Sequence, residues 1–522
     1  MNNNKICFIT CVNDEEVYKE CLLYIRNLIV PDGFELETIA VNNAEYMTKA
    51  YNVAMTGSNA KYKIYLHQDV FIINKNFISN IVDLFRKNPN IGLLGVAGAK
   101  AIPVTGVWWE SAEKYGKVYD SHTGIIDLLE FKEVRQAYEK VKCLDGLILV
   151  TQYDVPWRED IFTGWHFYDV SQSLEFDGRG YDIAIPRQYE PWCIHDCGIV
   201  NVSNGYKRYK EVFLDEYSKT LFPLVSILIP AYNQTVYLET ALESALNQDY
   251  RNCEIIICDD STTYDVQLLI AEYQKRFASI KYYNNGGPLG GKGTVNFQKC
   301  FDISEGEYIS YLLHDDLYMP NRISTMVRYL MEDPKIKLVT SYRKLIDGCG
   351  NFLPDLPVTK PLFPETTRIS GEYMGKFMLQ NIANVIGEPT TAMFRRSDIH
   401  DKLLDYHGER MRCLGDVAMW LKLMIDGDLV YIREPLSCFR IHTQQNTCDA
   451  GMLLTGPIDW YKLIVNNYDN NRFIPNMDDY RSALTGWMIR HKQTMDSSEL
   501  KNEKELYAEF LECYQKVQSC ID

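Results

Sequence analysis

No run of eighteen apolar residues occurs in this 522-residue chain, which leaves no candidate for a membrane-spanning helix. The opening Met1-Asn2-Asn3-Asn4-Lys5 lacks the basic region and apolar stretch of a secretory signal. The expectation is a cytoplasmic protein that has no transmembrane segment and meets a membrane only peripherally. Positive charge is in deficit, with 54 Lys and Arg against 70 Asp and Glu and a formal net charge of −16. That argues against a nucleic-acid partner, because such surfaces depend on cations that displace phosphate counterions. No G-x-G-x-x-G follows either of the strand-like runs at 6–10 and 225–229, so the fingerprint of a nicotinamide oxidoreductase is missing. Cysteine is not scarce, at fifteen. The count is odd, however, and Cys7 and Cys258 fall inside apolar runs, the pattern of reduced thiols and not of a disulfide framework. The Cys193-x-x-x-Cys197 spacing matches no common zinc pattern.

What the chain does contain is enough apolar sequence, 46%, to bury two or three cores. It also contains a repeat. Tyr65-Leu66-His67-Gln68-Asp69-Val70 is similar to Leu312-Leu313-His314-Asp315-Asp316-Leu317, and the offset of 247 (69 to 316) recurs between Asp169 and Asp416 and between His195 and His442. Each copy opens with an apolar run and a polar turn: Ile6-Cys7-Phe8-Ile9-Thr10 before Cys11-Val12-Asn13-Asp14, and Val225-Ser226-Ile227-Leu228-Ile229 before Pro230-Ala231-Tyr232-Asn233. A helix-period segment follows. A second apolar run then ends in Asn42-Asn43 in one copy and in Asp259-Asp260-Ser261 in the other. Strands alternating with helices, with polar residues clustered after the strand ends, predict an α/β fold of open, mostly parallel sheets that bind ligands at their carboxyl edge. Beyond residue 451 the pattern is helical over 457–468, 478–492 and 499–518.

The ordered set Pro230-Ala231-Tyr232-Asn233, Asp259-Asp260-Ser261, His314-Asp315-Asp316-Leu317-Tyr318-Met319-Pro320, Gly415-Asp416 with Trp420, and Arg440-Ile441-His442 resembles a family 2 glycosyltransferase of the GT-A fold, over 224–447. The first half, over roughly 5–205, is similar to a more divergent branch of glycosyltransferase-like domains. That likeness is carried by Leu66-His67-Gln68-Asp69 and Gly164-Trp165-His166-Phe167-Tyr168-Asp169. The resemblance implies two tandem GT-A, Rossmann-like domains, at 1–215 and 216–450, and a C-terminal helical extension at 451–522.

It also implies a chemistry: metal-dependent, inverting transfer of a sugar from a nucleotide-diphosphate donor, with a UDP-sugar favoured, to a glycan, glycoprotein or lipid-linked acceptor. A departing diphosphate is neutralised by Mn²⁺ or Mg²⁺ held at a strand end, for which the candidates are Asp315, Asp316 and His442, with Asp69 and His195 in the first copy. Helix N-caps are the other reading of the paired acids. Pro230, Tyr232, Asn233 and Asp260 fall to the nucleotide, with Asn43 in the first copy, although Asp259-Asp260-Ser261 is also an ordinary Asx-rich turn. Asp416 and Asp169 are the candidate bases that take the acceptor proton. Trp420 stacks on a sugar or belongs to the core, and Trp108, Trp109 and Trp165 line an acceptor site or are buried. The glycines at 286, 287, 290, 291 and 293 match neither a P-loop nor a dinucleotide motif and read as a loop over the donor. Gln68 and Asn42-Asn43 stand where acids stand in the second copy, which leaves two options for the first: a second transferase or a glycan-binding module. Nucleotidyl transfer is the competing chemistry, and no basic triphosphate loop lies near Asp315.

Overall fold

The run Ile6-Cys7-Phe8-Ile9 is 0–1% exposed on every residue, and so is Ile227-Leu228-Ile229. Such unbroken apolar strands are stable only where helices cover both faces of a sheet. In the computed structural model, which describes residues 1–199, 203–357, 359–442, 450–497 and 500–521, they are the inner strands Asn2–Val12 and Val225–Ala231. The last part of the span that carries the family resemblance, 443–447, lies outside the described residues. The chain divides into two compact units, Met1–Leu221 and Phe222–Asp522.

The second unit is built on a 10-stranded sheet. Its main path runs Ile280–Asn284, Cys253–Asp259, Val225–Ala231, Tyr308–Tyr311, Ala392–Arg395, Ile336–Ile346, Asp428–Arg440 and Leu317–Tyr318. Ala392–Arg395 is antiparallel to both its neighbours. The first unit repeats the order in a 7-stranded sheet: Glu35–Asn42, Asn2–Val12, Ala60–Leu66, Ile148–Thr151, Ile91–Gly95, Asp182–Pro186 and Tyr138–Val141. Ile148–Thr151 is the antiparallel insertion there. Among the described residues no strand covers Glu35–Asn42, which is therefore an edge with exposed and half-buried residues, whereas its counterpart Cys253–Asp259 is buried from Glu254 onward. The α/β class and the tandem arrangement follow from this shared strand order.

The helices Ala450–Asp469, Met477–Asp496 and Lys504–Ile521 form one core with the second sheet and its helices. Leu454, Ile458, Leu463, Trp487 and Phe510 are fully buried in that cluster beside Met378, Leu379 and Trp420. Each such side chain contributes about 1.5–3 kcal/mol on leaving water, so the helical extension is part of the second unit and not a free appendage. Trp420 is 0% exposed and its indole N–H donates to Gly387 O at 3.0 Å, which settles it as a core residue.

Candidate active site

In the second unit, strand Tyr308–Tyr311 leads into Leu312-Leu313-His314-Asp315-Asp316, where Asp316 N–H donates to Leu313 O at 3.0 Å and closes a turn. The turn separates the two acids. Asp316 is fully buried, with Thr390 Oγ1 donating to one carboxylate oxygen at 2.6 Å and Arg440 N–H to the other at 3.0 Å. Burial, and then the charges of Asp315 and Glu388, push its carboxyl well above the usual range. Asp315 remains partly exposed, and its Oδ2 lies 3.0 Å from His442 Nε2. Arg440 fixes this geometry by donating from Nε to Asp315 O at 2.7 Å.

Asp416 is the second residue of helix Gly415–Met424. Its Oδ1 accepts from Val417 N–H and its Oδ2 from Asn384 Nδ2, both at 2.8 Å. Burial raises its carboxyl to about 6, with Glu388 adding to the shift and the hydrogen bonds opposing it. An acid poised there is largely ionised near neutrality yet basic enough to take a proton.

The nucleotide candidates gather at the ends of the first two strands. Pro230 O is met by His314 Nδ1 at 3.2 Å, Tyr232 is 49% exposed, and Asn233 has a left-handed backbone with φ 49°. Asn233 N–H donates to Ser261 Oγ at 2.8 Å. Asp260 ties down the glycine-rich loop by accepting from Asn285 Nδ2 at 2.7 Å and Leu289 N–H at 3.3 Å.

The first unit shows how the copies correspond. Val70 N–H donates to His67 O, the same turn as Asp316 to Leu313, and strand pairing sets Ile9 opposite Tyr65 as Leu228 is opposite Tyr311. This register makes Asp69 the counterpart of Asp315, not of Asp316, and gives Gln68 the place of His314. The offset of 247 is thus one residue too long at the strand end, because aligning His67 with His314 pairs histidines that do different work. Gln68 Oε1 accepts from the N–H groups of Asn13 and Asp14, each at 3.0 Å, and holds the first loop as His314 does. Asn43, exposed and left-handed at φ 51°, occupies the place of Asp260.

Asp69 Oδ1 lies 3.7 Å from His195 Nε2, and His195 Nδ1 lies 2.8 Å from Asp120 Oδ2. Among the described residues, two groups of three potential ligands fall within 4.8 Å of one another, and both include His195: His67 with Asp69, and Asp120 with Cys197. Asp69 Oδ1 is buried without a hydrogen-bond partner, as an oxygen kept for a cation would be. Asp169 is the second residue of helix Tyr168–Asp177, directly after Phe167, whose φ of 62° is strained for a bulky side chain. Burial, then Asp145, raises its carboxyl to about 7. Tyr168 OH lies 2.6 Å from His67 Nε2, which links the helix to the histidine cluster. Trp109 and Trp165 are 44% and 39% exposed, and Trp108 is buried.

Both units match glycosyltransferase family models. Residues 7–217 match "Glycosyltransferase like family" and residues 226–402 match "Glycosyl transferase family 2". The GalNAc(5)-diNAcBac-PP-undecaprenol beta-1,3-glucosyltransferase of Campylobacter jejuni is 33% identical over 306 residues, which cover 55% of this chain and 86% of that protein. The chain belongs to the family 2 glycosyltransferases. An uncharacterized glycosyltransferase of Rickettsia typhi is 29% identical to it over 236 residues, 44% of this chain and 68% of the relative. Of the solved structures, S. aureus TarS 1–349 in complex with UDP-GlcNAc is similar at TM-score 0.37 and 15% identity, over 57% of this chain and 90% of that one, a likeness too distant to bear on the fold.

Two features of the glycosyltransferase were not read from its sequence. Glu388 and Asp145 both sit just before the antiparallel insertion strand, and each is a charge that raises the pKa of the candidate base of its own unit. Their separation, 145 to 388, falls outside the offset of 247, so the repeat search passes over them. The only local signal is the punctuation Gly387-Glu388-Pro389, with Gly387 at φ 105°. Asp459, on helix Ala450–Asp469 and 0% exposed, accepts from the N–H groups of Arg412, Cys413 and Leu414 at 2.8, 2.6 and 3.0 Å. It anchors the lead-in to the Asp416 helix, whose N-cap Leu414 makes no side-chain cap of its own. No helix among the described residues is long and apolar enough to cross a membrane.

Proposed function

We propose that this glycosyltransferase transfers a sugar from a nucleoside-diphosphate donor, a UDP-sugar, to a hydroxyl of a glycan acceptor by direct displacement with inversion. The observation that carries this is Asp416: a carboxylate fixed at a helix start, raised to about 6 by burial, and in electrostatic contact through Glu388 with the Asp315 that pairs with His442. Asp416 accepts the acceptor proton as the new C–O bond forms and the anomeric C–O bond to the diphosphate breaks. Asp260, Asn233 and Tyr232 hold the nucleotide, with Pro230 shaping the turn. A bound divalent cation supplies charge neutralisation for the departing diphosphate. Asp315 and His442 are the side chains that would hold it, and an imidazole ligand would favour Mn²⁺ over Mg²⁺. Asp316 keeps the turn in place from behind. The test is transfer with the donor and Mn²⁺, with the anomeric configuration of the product read by proton NMR. Inverted product that disappears in Asp416→Asn supports the reading, and retained configuration refutes direct displacement.

For the first unit we favour a second transferase centre, with Asp169 as base and His67, Asp69 and His195 around the cation. Asp169 repeats the helix position and the raised carboxyl of Asp416. One observation favours the alternative, a glycan-binding module: the nucleotide side is reduced, with no strand beyond Glu35–Asn42 among the described residues and Asn43 in place of Asp260. Loss of one transfer step in Asp169→Asn separates the two. The acceptor of the Campylobacter relative, named as linked to PP-undecaprenol, supports a lipid-linked acceptor met at a membrane surface from the cytoplasm.

A further inference from the structure

A cavity of about 670 Å³ opens in the second unit, within the 300–1,000 Å³ range of small-molecule sites. One wall is the glycine-rich loop and the start of helix Thr294–Asp302, the opposite wall is the segment that includes Arg410, Met411 and Arg412, and the C-terminal helices close it with Met452 and Leu506. The first wall is tethered to the nucleotide candidate Asp260 through Leu289 N–H. The opposite wall runs straight into the helix that carries Asp416 and is anchored by Asp459. The cavity thus adjoins the donor loop and the lead-in to the Asp416 helix, without being lined by that helix itself, and an acceptor seated there has its hydroxyl end next to both.

The lining gives the chemistry. Lys292, Lys402, Arg410 and Arg412 face it, against a single acid, Asp405, in a chain that carries 16 excess negative charges. Arg410 pairs with Asp405 at 3.0 Å and donates to Thr294 O at 3.3 Å, and Arg412 holds Glu509 through both Nη groups at 3.0 and 2.9 Å, contacts that use two of the five N–H donors of each guanidinium. The N-cap of helix Thr294–Asp302 is Gly293, which has no capping side chain, so the positive end of that helix adds to the same wall. Between the cations the surface is apolar, from Val295, Met411, Met452 and Leu506. Cations over an apolar floor fit an amphiphile with a phosphate group.

We propose that this cavity is the acceptor site and takes a glycan carried on an apolar chain through a phosphate or diphosphate, with the cations on the phosphate and the apolar wall on the first part of the chain. The assignment rests on the transferase reading above. The test is calorimetric binding of farnesyl diphosphate to the full chain with UDP and Mn²⁺ at saturation, beside farnesol and inorganic pyrophosphate as separate probes. The site predicts that farnesyl diphosphate binds at least tenfold more tightly than either half-probe, and that Lys402→Glu and Val295→Glu each weaken it about tenfold. Val295 is 41% exposed and tolerates the change, so one variant survives if the other fails to fold. Overturning results are displacement by UDP, pyrophosphate binding as tightly (a free-anion site), farnesol binding as tightly (an unspecific apolar surface), or wild-type affinity in both variants. Release of UDP from the donor, and its loss in Asp416→Asn, checks the transferase reading separately. Absent probe binding with donor turnover intact overturns the acceptor assignment alone.

Discussion

Asn384→Ala isolates one contribution to the chemistry of the candidate base. In the folded protein Asn384 Nδ2 donates to Asp416 Oδ2 at 2.8 Å, which favours the ionised carboxylate, while burial favours the neutral acid, and the balance lies at about 6. A hydrogen bond to a charged group contributes about 1.5–3 kcal/mol, and one pKa unit corresponds to about 1.36 kcal/mol. Removing the bond makes the anion less favourable, so the pKa rises, by about one to two units, and the base is ionised only at higher pH. The assay is the initial rate of nucleoside diphosphate release at saturating donor and acceptor between pH 5 and 9. The wild type should lose about tenfold in rate per pH unit below its limb near 6. With the limb moved to about 7.5, the variant is slower by about eightfold at pH 6.5 and nearly equal to wild type at pH 9. A limb that stays at about 6, or an equal loss at every pH, refutes Asp416 as the titrating base.

Three further outcomes follow from neighbouring contacts. Glu388→Gln removes a negative charge that raises Asp416, so the same limb shifts to lower pH, opposite in sign to Asn384→Ala, and the same rate profile reads it. Asp459→Ala leaves the part-buried N–H groups of Arg412, Cys413 and Leu414 without their shared acceptor and costs about 1–3 kcal/mol in urea unfolding of the second unit; an unchanged midpoint would show that the lead-in is held elsewhere. Asp120→Ala frees His195 Nδ1 and weakens Mn²⁺ binding at the first unit by about 10- to 100-fold in a metal titration, the usual effect of losing a partner behind a metal-binding histidine. Unaltered affinity would place any cation away from His195.

The fold was legible because it is written locally. Unbroken apolar runs such as Ile6-Cys7-Phe8-Ile9 and Val225–Ala231, each followed by a polar turn, mark inner strands of a covered sheet without any reference to the rest of the chain. Asp169 and Asp416 were proposed as bases on their spacing, and both occupy the second position of a helix. The acid register was misread by one residue because His67 and His314 look alike in sequence and differ in contacts: one meets Tyr168, the other Pro230 O. The Cys193-x-x-x-Cys197 spacing matched no zinc pattern and gave no sign of the grouping of Cys197 with Asp120 and His195, since Asp120 is distant in the chain and is brought beside His195 by the pairing of strands Lys114–Asp120 and Cys193–His195. Asp459 was hidden for a similar reason. A buried acid in an apolar helix has no periodic signature, and its role appears only when the helix packs against residues 412–414.

In the proposed function the two units house two related centres, built on Asp416 and Asp169. The most direct measurement is nucleoside diphosphate release from a panel of UDP-, GDP- and dTDP-sugars with Mn²⁺, comparing wild type, Asp416→Asn and Asp169→Asn. The account predicts that Asp416→Asn abolishes turnover of one donor and Asp169→Asn that of another. Full turnover of every accepted donor in either variant, or no turnover of any donor by the wild type, contradicts it.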